Sequence, residues 1–259
     1  MNKPFSYKLL AAAVMLSAVA CHKENFKPEA ESDGLTAVAL MAPMTKVQYD
    51  EGADGRLCGK WEKGDVILAL DGDGASFSFS VTQVDGTGGT ATLKARTSKK
   101  FAAGDKVYAV YCPDGTSSGF ADGALTVDFA DQKAVGIPAL MFAEAVVADG
   151  PSLSFNFRNA VSVIGIKAPS IEAMNSNRKI CRVLLSGHNV VSDGKVVLGD
   201  DGKLSFVPGV PSRFIEKEVQ AAPVSGTDGK FTLDEPVYVV VPPCAVDKVT
   251  FVDDKGMIY

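Results

Sequence analysis

What limits this chain most is its punctuation. From Leu35 onward, short apolar or alternating runs are cut repeatedly by glycine-containing turns, and no run carries an amphipathic helical period over a useful length. Residues 76–81, SFSFSV, alternate strictly and so place Phe77, Phe79 and Val81 on one face of a strand. Further strands are predicted at 36–41, 66–70, 91–95, 106–112, 125–129, 140–147, 153–157 and 161–167. Asp-Gly recurs between them, at 71–72, 73–74, 85–86, 114–115, 122–123 and 149–150, and this dipeptide readily takes the positive φ angles of tight hairpins. The pattern predicts an all-β chain with the strand spacing of a β-sandwich.

Residues 168–178, APSIEAMNSNR, interrupt this grammar with polar residues and a proline, and read as an interdomain connector or one short helical turn. Strands resume at 180–185, 195–198, 203–207, 217–221, 237–241 and 249–252, with Asp193-Gly194, Asp201-Gly202 and Asp228-Gly229 as turns. Pro242-Pro243 closes the VYVVV run, because proline cannot donate to a ladder. Two β-sandwich domains in tandem, 35–167 and 168–259, are therefore expected. Residues 249–259 predict a hairpin about Asp253-Asp254-Lys255-Gly256 whose second strand begins at Met257. A bare strand at that point and a longer native chain both fit.

Ahead of the strands, Lys3 and Lys8 accompany an apolar run, 9–20, too short to span a bilayer as a helix, and small residues lead from it to Cys21. Residues 1–20 read as a secretory signal peptide. Ala18-Val19-Ala20-Cys21 resembles the bacterial lipobox. That resemblance implies that Cys21 takes a diacylglycerol and a further acyl chain such as palmitate, anchoring the body at the surface of the outer membrane. Residues 21–34 are polar, charged and aperiodic, as a flexible tether would be. A formal charge of -5 gives no basic face for phosphates, so nucleic acid is not an expected partner. Cys58, Cys112, Cys181 and Cys244 lie far apart and form no CxxC pair, so zinc-type ligand spacing is missing. They read as buried small side chains or a single bridge in an exported protein.

Trp61-Glu62-Lys63-Gly64-Asp65 leads into the strand VILAL, and Thr45-Lys46 precedes it by a hairpin distance. Then come the tyrosine-rich Val107-Tyr108-Ala109-Val110-Tyr111 with a proline after it, the methionine-bearing Leu140-Met141-Phe142-Ala143, and a phenylalanine strand within 153–166. In that order these motifs resemble the fimbrillin-like family of surface lipoproteins, subunits and accessory proteins of type V pili, well over residues 36–167 and loosely over 180–243. The resemblance implies two transthyretin-like sandwich domains and polymerisation by donor-strand exchange, in which a removed first strand is replaced by a strand of a neighbouring subunit. The removable strand would be Leu35, Thr36, Ala37, Val38, Ala39, Leu40 and Met41, expected at a sheet edge. Oral members are cut after an arginine, and Arg56 is the first arginine after Cys21, so it is the candidate maturation site. A different protease, or an anchor subunit that keeps its lipid uncut, fits equally. Partners would be the outer membrane, other pilus subunits, and surface ligands of host or bacterial cells.

Catalytic chemistry finds little footing. Of the two histidines, His22 adjoins the acylated cysteine, and His188 lies in a turn with Ser186 and Asp193 too local for a triad. Asp200 and Asp201 fall in turn signals rather than on a rigid two-carboxylate scaffold. Asp71-Gly72-Asp73-Gly74 lacks the third acidic ligand and closing glutamate of a calcium loop. Trp61, a lone indole beside a strand, reads as core rather than as a sugar platform. Tyr108 and Tyr111 fall on opposite faces of their strand, so at most one is expected in a core. The expected protein is a non-enzymatic pilus or pilus-associated surface lipoprotein without a cofactor. The alternative is a glycan-binding outer-membrane lipoprotein of a polysaccharide-uptake system.

Overall fold

The computed structural model describes residues 35–40, 50–51, 57–58, 60–112, 119–133, 139–149, 152–172, 179–223 and 230–259. Every regular element among them is a strand, as the punctuation predicts. In chain order these are β1 (Thr36–Leu40), β2 (Asp50–Glu51), β3 (Leu57–Cys58), β4 (Val66–Asp71), β5 (Ser76–Val84), β6 (Thr90–Arg96), β7 (Lys106–Tyr111), β8 (Ala124–Asp128), β9 (Asp131–Gln132), β10 (Met141–Val146), β11 (Ser152–Asn156) and β12 (Arg158–Asn159). They continue as β13 (Ser162–Glu172), β14 (Lys179–Ser186), β15 (Asp193–Leu198), β16 (Leu204–Pro208), β17 (Phe214–Pro223), β18 (Lys230–Val241) and β19 (Lys248–Asp253).

The largest sheet has the order β11-β1-β6-β5-β4-β7-β10-β12. Its two ends are one piece of chain: β11 pairs with β1, and after Phe157 the same segment continues as β12, where Arg158 and Asn159 pair with Phe142 and Met141 of β10. The sheet is thus rolled up and closed by residues 152–159. Its inner faces meet in one core, with Ala37, Ile67, Phe79, Leu93, Tyr111, Met141 and Phe155 all buried. Phe79 and Val81 are buried on this face with Phe77 packed against them, as the SFSFSV alternation requires.

Part of the wall is also covered outside. Leu70, Tyr108, Val110, Leu140 and Phe142 point away from the first core and join Leu125, Val127, Val196, Leu204 and Val240 in a second one. Tyr108 and Tyr111 are therefore both buried, contrary to the expectation that one would be wet, because β7 has a core on each of its faces. β18 repeats the arrangement: Val240 faces the second core, while Val239 and Val241 face a third with Ile166, Val183, Leu185 and Ile215. The layers follow in the order rolled sheet, second core, β13-β18 ribbon, third core, and the sheet β19-β14-β17-β9.

The division expected at 167 and 168 does not separate the sheets. β8 pairs with β15 and β9 with β17, and β13 runs unbroken through the expected connector as far as Glu172, although its register with β18 shifts beyond Ile166. At this joint the buried Gln132 acts as a short piece of strand: its side-chain amide donates to Phe129 O and Val240 O and accepts from Val240 N–H.

The turns follow glycine more closely than they follow Asp-Gly. Asp122-Gly123 has both φ angles positive, as a two-residue hairpin demands. Asp193-Gly194, expected as a turn, instead opens β15. A Cβ on Gly194 would come within 2.4 Å of the Phe206 ring, so the glycine is there to let β16 close in. The hairpin predicted for 249–259 forms, with Val252 bridged to Ile258 and Asp253 Oδ1 accepting from Lys255 N–H and Met257 N–H.

Candidate functional site

The site with the most functional content is the berth of β1. Ala37 and Ala39 of β1, with Leu35 just before it, are buried in the first core and alternate with Thr36, Val38 and Leu40, which face outward. Backbone pairing holds it on both sides, antiparallel to β6 from Thr36 opposite Lys94 to Leu40 opposite Thr90, and parallel to β11 from Thr36 opposite Ser152 to Leu40 opposite Asn156. Both ends are pinned as well: Ala95 N–H donates to Leu35 O and Phe157 N–H to Leu40 O, each at 3.0 Å. β1 is therefore an inner strand, not the edge strand expected, because the chain returns at 152–159 to close the wall over its free side. Withdrawing it would open the closed wall between β6 and β11 and leave two ladders of unpaired backbone groups facing each other.

The rest of the wall is built to hold its shape. The Trp61-Glu62-Lys63-Gly64-Asp65 motif is a turn that starts β4: Gly64 takes φ +97°, and Asp65 Oδ2 accepts from Glu62 N–H at 2.9 Å and from the Tyr111 hydroxyl at 2.9 Å. Gly64 N–H donates to Val81 O and Val81 N–H to Asp65 O. Phe101-Ala102-Ala103-Gly104-Asp105 builds the same turn ahead of β7, with Gly104 at φ +94°, Asp105 Oδ2 accepting from Ala102 N–H at 2.8 Å, and paired bonds to Val147. Sequence reading singled out the first turn and missed the second, whose signal was the same Gly-Asp pair directly before an apolar run. Their aromatic residues belong to one continuous row of rings. From Tyr111 it passes to Trp61 (4.7 Å), Phe157 (5.3 Å), Phe155 (5.9 Å), Phe79 (5.5 Å), Phe77 (5.3 Å) and Phe101 (5.4 Å). Trp61 is core, as expected, and is 2 % exposed.

The polar residues weighed as chemistry have structural partners. Asp71 is buried at the end of β4, where Oδ1 accepts from Asp73 N–H and Ala75 N–H and Oδ2 from Lys99, which also meets Asp73 at 3.2 Å. Burial pushes the Asp71 carboxyl up, but the Lys99 hydrogen bond, the two amides and the Lys99 charge outweigh it and hold the group below its ordinary range. His188 is 96 % exposed by side chain and its Nδ1 lies 2.7 Å from Oδ2 of Asp247, a residue outside the Ser186, His188 and Asp193 grouping considered from sequence. The hydrogen bonds from the His188 side chain and backbone lower the Asp247 carboxyl against a smaller opposing effect of desolvation. Asp201 Oδ1 accepts from Lys203 N–H within its turn. Cys112, Cys181 and Cys244 are partly buried. Among the described residues no group of three or more potential ligands is placed to hold a metal ion. Cys21, Met41, Arg56, the leader and the tether lie outside the described residues.

No family model and no curated protein matches the sequence. Among solved structures, the chain is similar to a candidate cell adhesion protein from Bacteroides ovatus, with 15 % identity, a TM-score of 0.54, and coverage of 89 % of this chain and 85 % of that one. A second candidate cell adhesion protein, from Bacteroides uniformis, aligns at 14 % identity with a TM-score of 0.47, over 88 % of this chain and 83 % of its own. At these identities the first likeness shows a shared all-β fold over most of both chains.

Proposed function

We propose that this chain is a fimbrillin-like surface lipoprotein with a structural and adhesive role, a component of type V pili that joins its neighbours by strand exchange. The observation that carries the reading is the berth of β1. The first strand after the tether is seated inside a closed wall, hydrogen-bonded on both sides, with an alternating inward face that an incoming strand could reproduce. β-augmentation uses such a slot for affinity through the backbone and for register through alternate side chains. The fold shared with the candidate adhesion protein from Bacteroides ovatus supports a role at the cell surface, and the lipobox resemblance at Ala18 to Cys21 supports an outer-membrane anchor through Cys21. Cleavage at Arg56 would release β1, which precedes it in the chain. An uncut chain would act as an anchor subunit. The glycan-binding reading loses its best platform, because Trp61 is buried.

The test is the intact mass and N-terminus of the protein taken from the surface of its native cells, together with its mobility on a denaturing gel without boiling. A chain lacking Leu35 to Leu40 that runs as a ladder is the expected result for a stalk subunit. An acylated Cys21 on a strict monomer would refute that role.

A further inference from the structure

We infer, resting on the strand-exchange reading above, that the β1 berth is a size filter. It accepts an extended segment of another subunit only when two successive inward positions carry side chains no larger than alanine and the inward position before them carries a larger apolar one.

Three observations carry this. First, the inward residues of β1 run Leu35, Ala37, Ala39, large then small then small, and all three are buried. Second, the alanines have buried neighbours on both sides. Ala37 lies across from Leu93 on β6 and Leu153 on β11, and Ala39 across from Ala91 on β6 and Phe155 on β11. Phe155 is fully buried, with its ring edge-on to Phe79 at 5.5 Å and beside Phe157 at 5.9 Å, so it cannot swing aside without breaking the aromatic row. Interiors packed to this density respond to added methylenes by strain. Third, the outward residues meet no such limit, since Val38 and Leu40 are 43 % and 41 % exposed.

The backbone cannot make this selection. β1 runs parallel to β11 and antiparallel to β6, so a strand entering in the opposite direction would also find one partner of each kind. The inward side chains leave direction open as well, because LTAVALM reversed still presents a large, a small and a small residue inward, Met41, Ala39 and Ala37. Register is what they set. A slip of one residue would turn Val38 and Leu40 inward, where the alanines belong.

The experiment uses the mature full chain with a site-specific protease sequence inserted between Met44 and Thr45, cut after folding. A labelled peptide of residues 35–41, LTAVALM, is taken up, and unlabelled peptides compete with it. Peptides carrying Ala37→Leu or Ala39→Leu should compete roughly ten- to a hundredfold more weakly than the native peptide. Val38→Thr and Leu40→Thr should stay within about threefold, the size of an ordinary surface change. Equal competition by Ala39→Leu would overturn the filter while leaving strand exchange standing. Failure of the native peptide to enter at all would overturn strand exchange and the filter with it. In the uncut chain, Ala39→Leu should lower the urea midpoint and Val38→Leu should not. An unchanged midpoint for Ala39→Leu would show that the berth is not tight, independently of any exchange.

Discussion

The rolled sheet has a thin side and a thick side. On the thin side, β11, β1 and β6 bury one face and wet the other, and β1 and β11 share the strict alternation of exposed and buried residues. On the thick side, β4, β7 and β10 bury both faces, because the second core lies against them. The difference follows the pattern of apolar residues in part. VILAL, KVYAVY and LMFA are near-continuous apolar runs and SLSFN alternates. TAVAL is apolar at four of five positions, and Val38 and Leu40 face outward at 43 % and 41 % exposure. A sheet covered on both faces needs the first kind of sequence, and a sheet with one wet face needs the second. A strand meant to be exchanged belongs on the thin side, where its removal disturbs one core instead of two. β1 is found there.

The largest contrast should come from paired truncations across the two sides. Leu70→Ala or Phe142→Ala, in the second core, should cost about 2–5 kcal/mol. Val38→Ala on the wet face of β1 should cost about 0.5 kcal/mol or less. Urea midpoints at an unchanged m-value would measure both, and equal losses would erase the distinction between thick and thin.

Asp71 sharpens the comparison at the end of a thick-side strand. Replacing it with alanine leaves the amides of Asp73 and Ala75 without their acceptor and should cost about 1–3 kcal/mol. Its folded pKa lies below the ordinary aspartate value. Its contribution is therefore fully present above that value and is lost as the pH falls through the lower, folded one. Wild type should lose its advantage over Asp71→Ala only in strongly acidic solution. A gap that closes near neutral pH would contradict the assignment.

The two Gly-Asp turns open β4 and β7, both on the thick side, and should respond alike. Gly64→Ala and Gly104→Ala force a Cβ into a left-handed backbone at about 1–2 kcal/mol each. Thermal melts that separate the two widely would show that the turns are not equivalent. A smaller effect is expected for Tyr111→Phe, which removes the hydroxyl bonded to Asp65 while keeping the ring against Trp61. About 1 kcal/mol in the same assay is the expected loss.

Much of this architecture is legible in the chain, and the places where reading stopped are physical. Because alternation and apolar runs are local signals, each predicted strand within the described residues is found as a strand, except that the one expected from Met257 is a single bridge at Ile258. The two-residue strands β9 and β12 carry no such signal, and β13 and β18 run past the apolar stretches that announce them. The two buried tyrosines of β7 were legible in principle, since five residues in VYAVY leave no polar face to wet. For the candidate site, the stretch itself could be read from LTAVALM, but its inward face and its two neighbours could not, because Val38 and Leu40 outside are as apolar as Ala37 and Ala39 inside.

What the sequence determined alone is local: strand period, the glycines that turn the chain, the alternation that gives β11 an inside and an outside, and the leader pattern ending at Cys21. What only the tertiary structure decided is partnership. Alternation says that a strand has a buried face, yet any strand of matching pattern can lie beside it, and the choice depends on closing long loops to gain a shared core. The closure of the wall by residues 152–159, the pairing of β8 with β15 across the expected domain boundary, and the enclosure of β1 are choices of that kind. They are settled by how much apolar surface the whole chain can bury at once, which no short stretch of sequence contains.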